Sequence, residues 1–154
     1  ATGLHVGIHL FGKEEMKMKN ATRRKFLPGL MAPALMMGQS KKKLPDFTYT
    51  VKETTEVKET FGLHRKYFEG PTDQLKLMVA GSVTLNPGTT PHPPHKHEEE
   101  EIMVVTEGAG IIGLKGKDKA VGPGSMMYSA ANQMHDIRNT GKTPLTFFYY
   151  KWKA

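Results

Sequence analysis

Four side chains in this sequence have the types and spacing to meet at one metal ion: His95, His97, Glu101 and His135. Three of them lie in the stretch GTTPHPPHKHEEEEIMVVTEG, residues 88–108. Along an extended chain, residues i and i+2 point to the same face. The imidazoles of His95 and His97 can therefore reach one point in space. Glu101 follows His97 by an even step and keeps that face if the chain stays extended or turns gently. His135 lies far along the chain, on another predicted strand. Three imidazoles and one carboxylate suit a borderline or hard divalent ion, so Mn²⁺, Fe²⁺, Ni²⁺, Cu²⁺ and Zn²⁺ all remain open. On an octahedral ion this set leaves coordination positions free, as a catalytic site needs. The chain has no cysteine, which excludes thiolate ligands, disulfides and a cysteine nucleophile.

The neighbours of these residues define a pocket. Met103 and Ile137 follow Glu101 and His135 by two and should share their face. Met126 and Tyr128, with one alternate set from residues 147–150, should complete the wall. Such a lining would suit a small, partly hydrophobic or aromatic molecule. His64, Arg65 and Lys66 lie on a strand that can contribute one polar group. Glu98 and Glu100 have the wrong parity for the face of Glu101, and with Glu99 they read as a solvated loop, substitution of one of them as a ligand being the lesser alternative. His92 precedes Pro93-Pro94, on a stiff, extended approach, and reads as loop or pocket entrance.

The elements that must position these groups read as short strands. Alternating or β-branched runs occur at 47–51, 61–68, 75–79, 82–85, 101–106, 110–114, 126–129, 135–138 and 145–152. Turns intervene at Asn86-Pro87-Gly88, Glu107-Gly108 and Gly122-Pro123-Gly124. This rhythm is that of an all-β sandwich or barrel. Residues 52–60 (KETTEVKET) fit a polar helical turn or a hairpin.

His95-x-His97-x₃-Glu101-x₆-Gly108 resembles the first metal-binding motif of the cupin superfamily. Gly88 matches that motif's leading glycine, with one extra residue before His95. Gly124-x₁₀-His135-x₃-Asn139 resembles the second motif, with Ala130 in place of its usual proline and Asn132 in place of its second glycine. Those departures concern a turn and leave the histidine in place. The resemblance covers residues 75–152 in detail. It implies an antiparallel double-stranded β-helix, the jelly-roll cupin barrel, over residues 41–154. It also implies one divalent metal ion per chain on His95, His97, Glu101 and His135, a small-molecule ligand or substrate, and a homodimer. An oxygen-using oxidoreductase acting on a small organic molecule is the favoured expectation. A non-catalytic module that binds a metal or small ligand is the alternative. The aromatic run at 145–152 offers apolar side chains on both faces, which gives the dimer a physical motive. A fold-back of residues 47–51 over the same face would compete with it.

The net charge of +7 does not point to nucleic acid. Residues 1–40 carry +4 of it (six Lys/Arg against Glu14 and Glu15), which leaves +3 for the rest. No basic stripe interleaved with aromatic residues is visible, and no helix-turn-helix pattern either. No apolar run is long enough for a stable membrane span. Residues 16–40 pass from a basic stretch into the apolar run 26–38, which is the layout of a signal peptide. Thr22-Arg23-Arg24-Lys25-Phe26-Leu27 resembles the twin-arginine export motif, so a periplasmic or secreted destination is expected. Residues 1–15 precede Met16 and read as an upstream extension. Replacing Arg23 and Arg24 together with lysine should hold the precursor in the cytoplasm. Undiminished periplasmic protein in a fractionation experiment would show the motif to be incidental.

Overall fold

In a computed structural model, residues 42–154 are described. The segments expected to be an upstream extension and a signal peptide, residues 1–40, lie outside them. Nine strands form among the described residues, and β-branched or aromatic residues dominate the long central ones. These are β1 (Thr55–Glu59), β2 (Gly62–Gly70), β3 (Leu77–Leu85), β4 (Glu100–Glu107), β5 (Gly110–Leu114), β6 (Lys117–Val121), β7 (Met126–Ser129), β8 (His135–Arg138) and β9 (Leu145–Lys153). Every strand pair is antiparallel. One sheet has six strands in the order β1-β2-β3-β9-β4-β7, and the other has three in the order β6-β5-β8. The chain forms a jelly-roll barrel.

β9 is inserted between β3 and β4. It pairs with β3 from Leu77↔Lys153 to Leu85↔Leu145 and with β4 from Glu100↔Trp152 to Glu107↔Thr146. Its inward set Leu145, Phe147 and Tyr149 is buried, whereas Thr146, Phe148 and Tyr150 are half-buried. The same alternation puts Val83, Leu85, Met103, Val105, Ile112, Met127 and Ile137 into one core. Leu85, Val105, Ile137 and Leu145 have 0% exposure. Burying an aliphatic side chain of this size contributes about 1.5–3 kcal/mol, and an exposed ion pair about 0–1 kcal/mol. The apolar seam, rather than pairs such as Arg138–Asp118 at the surface, holds the sheets together.

The β4–β5 turn depends on Gly108, whose φ is 74°. A Cβ there would lie 2.2 Å from the carbonyl oxygen of Pro144, in the approach to β9. Glycine is required both for the left-handed backbone and for this close passage.

One sequence expectation is corrected. Residues 47–51 form no strand: the chain runs irregularly into a 3₁₀ turn at Val51–Glu53. Phe47 instead packs on Phe68 with ring centroids 5.0 Å apart. The edge strand is β1, drawn from the polar stretch that follows, and all five of its residues are exposed. A strand wet on both faces has no apolar alternation to show. The aromatic strand β9 is no sheet edge, since it is paired on both sides. Among the described residues no helix is long and apolar enough to cross a membrane.

Candidate metal centre

Glu101 is the second residue of β4, with its side chain turned inward, 4% exposed. His135 opens β8, on the other sheet, and is 2% exposed. His95 and His97 are not on a strand as expected, because β4 begins only at Glu100. They lie on the loop before it, and backbone tethers fix their positions. His95 and His135 form an isolated antiparallel bridge, donating to each other's carbonyl oxygens at 3.1 and 2.9 Å. The amide of Asn132 donates to the carbonyl of His97 at 2.7 Å.

These tethers bring three imidazoles together, with one ring nitrogen of each within 4.8 Å of the others. Glu101 lies among them. Its Oε2 is 3.0 Å from Nε2 of His97 and 2.8 Å from Nε2 of His135. The opposite nitrogens are held by backbone: Nδ1 of His97 donates to the Glu99 carbonyl at 3.0 Å, and Nδ1 of His135 to the Gln133 carbonyl at 2.8 Å. A carbonyl accepts only, so each Nδ1 carries a proton and each Nε2 is aimed at the cluster. This is how proteins orient metal-ligating histidines. Nδ1 of His95 is buried and has no hydrogen-bond partner. An orphaned ring nitrogen beside two pre-oriented imidazoles and a buried carboxylate fits a divalent cation.

The electrostatics agree with that fit. Burial, and then the neighbouring rings of His92, His135 and His97, push His95 down to about 4, so it stays neutral at neutral pH. Burial disfavours charge on His135, but its hydrogen bonds to Glu101 and the Gln133 carbonyl prevail and raise its pKa. Burial also works against charge on Glu101, and the hydrogen bonds from His135 and His97 overcome it, lowering its pKa. A proton shared between Glu101 and His135 is thereby favoured at the nitrogen that a metal ion would also use.

A cavity of about 350 Å³ adjoins the cluster, and His95 and Glu101 form part of its wall. Met103, Ile137 and Phe147 supply apolar lining. Met126 and Tyr128, expected in the same wall, are not there: they face outward, 66% and 53% exposed. Register explains the correction, since Glu101 pairs with Ser129 and Met103 with Met127, which puts Met127 and Ser129 inward. His92 stands at the cavity with its ring centroid 3.9 Å from that of His95. Of the three polar residues expected on β2, His64 lines the cavity, whereas Arg65 binds Glu56 and Lys66 binds Glu69. Nε2 of His64 is hydrogen-bonded to the Tyr149 hydroxyl at 2.8 Å. Lys151 also lines the cavity, and nothing in the sequence pattern marks it, because a lysine ending an aromatic strand reads as surface. Asn139 is structural: its amide donates to the carbonyls of Leu85 and Thr143, and its oxygen accepts from Gly141.

Residues 81–150 match the family described as "Cupin domain". The fold is a cupin barrel. The chain is similar to an RmlC-like cupin from Shewanella frigidimarina (TM-score 0.58, 14% identity, 75% of this chain and 95% of that one). It is also similar to a predicted oxalate decarboxylase from Thermotoga maritima (TM-score 0.55, 22% identity, 70% of this chain and all of that one). A polyketide cyclase from Streptomyces resistomycificus gives a TM-score of 0.58 at 21% identity, over 71% of this chain and 81% of that one. At such identities the likeness is one of fold. In sequence, 75 residues are 39% identical to the oxalate-binding protein of Thermotoga maritima, covering 48% of this chain and 54% of that protein. The match spans about half the length of that curated relative.

Two of the three shifted groups, His135 and Glu101, make a testable pH signature. The raised pKa of His135 stabilises the metal-free fold fully below 6.5, and that contribution is lost as pH rises through the folded value. The lowered pKa of Glu101 contributes above 4.5 and is lost as pH falls through its folded value. The pair therefore helps the metal-free fold most between 4.5 and 6.5. A divalent ion requires the proton off His135, so loading should strengthen as pH rises. Thermal melts should lose stability above 6.5 without metal and gain it with zinc. Identical pH trends with and without zinc would refute the exchange of proton for metal.

Proposed function

We propose that this protein is an exported metal-binding cupin that holds one divalent ion on His95, His97, Glu101 and His135 and takes a small organic molecule into the adjoining cavity. The observation that carries this reading is the convergence of a loop, β4 and β8 on one buried cluster, in which the His95 Nδ1 lacks a partner. The favoured activity is that of a metal-dependent, oxygen-using oxidoreductase. A bound ion would supply Lewis acidity and a template for the substrate. The chain's own residues provide the rest. The Glu99 and Gln133 carbonyls lock two imidazoles, and Met103, Ile137 and Phe147 keep water from one wall of the cavity. The non-catalytic alternative, a module that binds a metal and a small acid, draws support from the relative named an oxalate-binding protein.

We also propose a homodimer built on the outer face of β9. Phe148, Tyr150 and Trp152 share that face and stay half-buried in the single chain. Tyr67 extends it, with its ring 5.9 Å from that of Phe148. An aromatic patch of this kind marks an interface more often than bare surface.

Loss of one outer hydrogen bond costs a metal site about 10–100-fold in affinity, so removing a direct donor should cost more. His97→Ala should strip most of the metal, and His92→Ala should leave occupancy near normal. Full occupancy in His97→Ala by elemental analysis would sink the ligand set. Oxygen uptake by the metal-loaded protein on catechols, diketones or oxalate would support the enzyme, whereas binding without turnover would favour the module. For the dimer, light scattering at micromolar concentration should read twice the chain mass. A monomer mass would refute it.

A further inference from the structure

The wall of the cavity supplied by β2 and β9 carries polar groups that the metal reading does not use. Tyr149 and Lys151 are two apart on β9 and share the inward face, with Lys151 Nζ 5.8 Å from the centre of the Tyr149 ring. Lys151 lies directly opposite Glu101 in the β4–β9 register, and Tyr149 opposite Met103. The tyrosine is therefore one step of about 6–7 Å along the strand from the carboxylate row.

Two observations show that this wall is built rather than incidental. The Tyr149 side chain lies across Gly81 of β3: a Cβ at that position would meet its hydroxyl oxygen at 2.3 Å. Only a glycine lets the ring pass over β3 to reach His64 on β2, where the hydroxyl finds its partner at 2.8 Å. Lys151, half-buried, makes no ion pair among the described residues. Its cross-strand neighbour Glu101 has Oε2 on His97 and His135, so the partly desolvated ammonium is left without a hydrogen-bonded acid, which is costly. The other acidic group of the lining, Glu59, is exposed to solvent.

We propose that Tyr149 and Lys151, with His64 behind the tyrosine, recognise the far carboxylate of a small dicarboxylic acid whose near end meets the metal ion. The proposal rests on the metal-site reading above. The hydrogen bonds then run in one direction. His64 donates Nε2–H to the Tyr149 oxygen, the Tyr149 hydroxyl donates to the carboxylate, and Lys151 supplies the charge. Burial, with the charges of Glu101 and Glu69, pushes Tyr149 up to about 12, so its hydroxyl keeps the proton it must donate. A carboxylate suits this wall better than a phosphate. One ammonium and one hydroxyl can satisfy its two oxygens, whereas the apolar Val83 and Phe147 beside them would leave a phosphate's further acceptors unpaired.

The test is calorimetric titration of the zinc-loaded full chain with oxalate, malonate and acetate. Wild-type protein should bind at least one diacid about 10-fold or more tighter than acetate. Hydrogen bonds to charged groups set the expected losses: Tyr149→Phe should weaken diacid binding about 10-fold, and Lys151→Met about 10–100-fold. Acetate affinity and zinc content should stay unchanged in both variants. Retained zinc and acetate binding show that the barrel and the ion are intact, so a general structural defect cannot imitate the result. Diacid affinities equal to wild type in both variants would overturn the proposal and leave the metal site standing. Wild-type protein that binds diacids no tighter than acetate would overturn it in the same way. A wild-type chain that takes up no zinc would overturn both.

Discussion

Two backbone hydrogen bonds, exchanged between His95 and His135, join the loop before β4 to the first residue of β8. Together with the Asn132 amide on the His97 carbonyl and the Thr90 hydroxyl on the Ile137 carbonyl, they lay the loop over the three-stranded sheet and fix the imidazoles at 95 and 97 relative to the one at 135. With them, a single point on the barrel wall is approached from both sheets. The side chains then need only small adjustments, because Glu101 and His135 are already fixed by strands whose neighbours are buried core residues. The histidine–carboxylate cluster is thus an outgrowth of backbone pairing, and the apolar seam of Leu85, Val105, Ile137 and Leu145 is what holds the pairing in place.

The site is legible in the sequence wherever side-chain parity decides the face. Glu101 and Met103, and likewise His135 and Ile137, lie within single strands, and their alternation survives folding. Parity says nothing reliable about β7. Its four residues follow a turn at Gly124, with φ of 82°, and the phase in which a strand leaves such a turn is set by its partner β4. Met126 and Tyr128 accordingly turn to the face opposite the expected one. His95 and His97 reach the cluster from a loop, so the even spacing that suggests a shared strand face is only part of the reason. The strand β1 leaves no sequence signal because an edge exposed on both faces carries no hydrophobic period. The role of Gly81 is invisible for another reason: a missing side chain matters only through the ring that crosses it.

The two halves of the cavity differ in how they are held. The histidine half is oriented chiefly by main-chain atoms, the carbonyls of Glu99 and Gln133, with the Glu99 carboxylate and the Ser129 hydroxyl also close to the Nδ1 atoms. The β2–β9 half hangs on side chains alone: a hydroxyl, an imidazole and an ammonium. Such an arrangement lets ligand preference change by substitution on β2 and β9 while the ion site persists. It matches the general observation that one fold hosts many chemistries.

The insertion of β9 between β3 and β4 has a kinetic consequence. Strands third and fourth in order cannot close on each other; each must wait for the ninth, and Leu85 pairs with Leu145 only after the intervening chain is gathered in. Contacts so distant in sequence pay their loop entropy before they return any energy, which places this barrel among slow-folding topologies. Glu101 sits on a strand that β9 must flank. The cluster around it is therefore assembled late, and a metal ion offered early meets histidines that are still separate parts of an open chain.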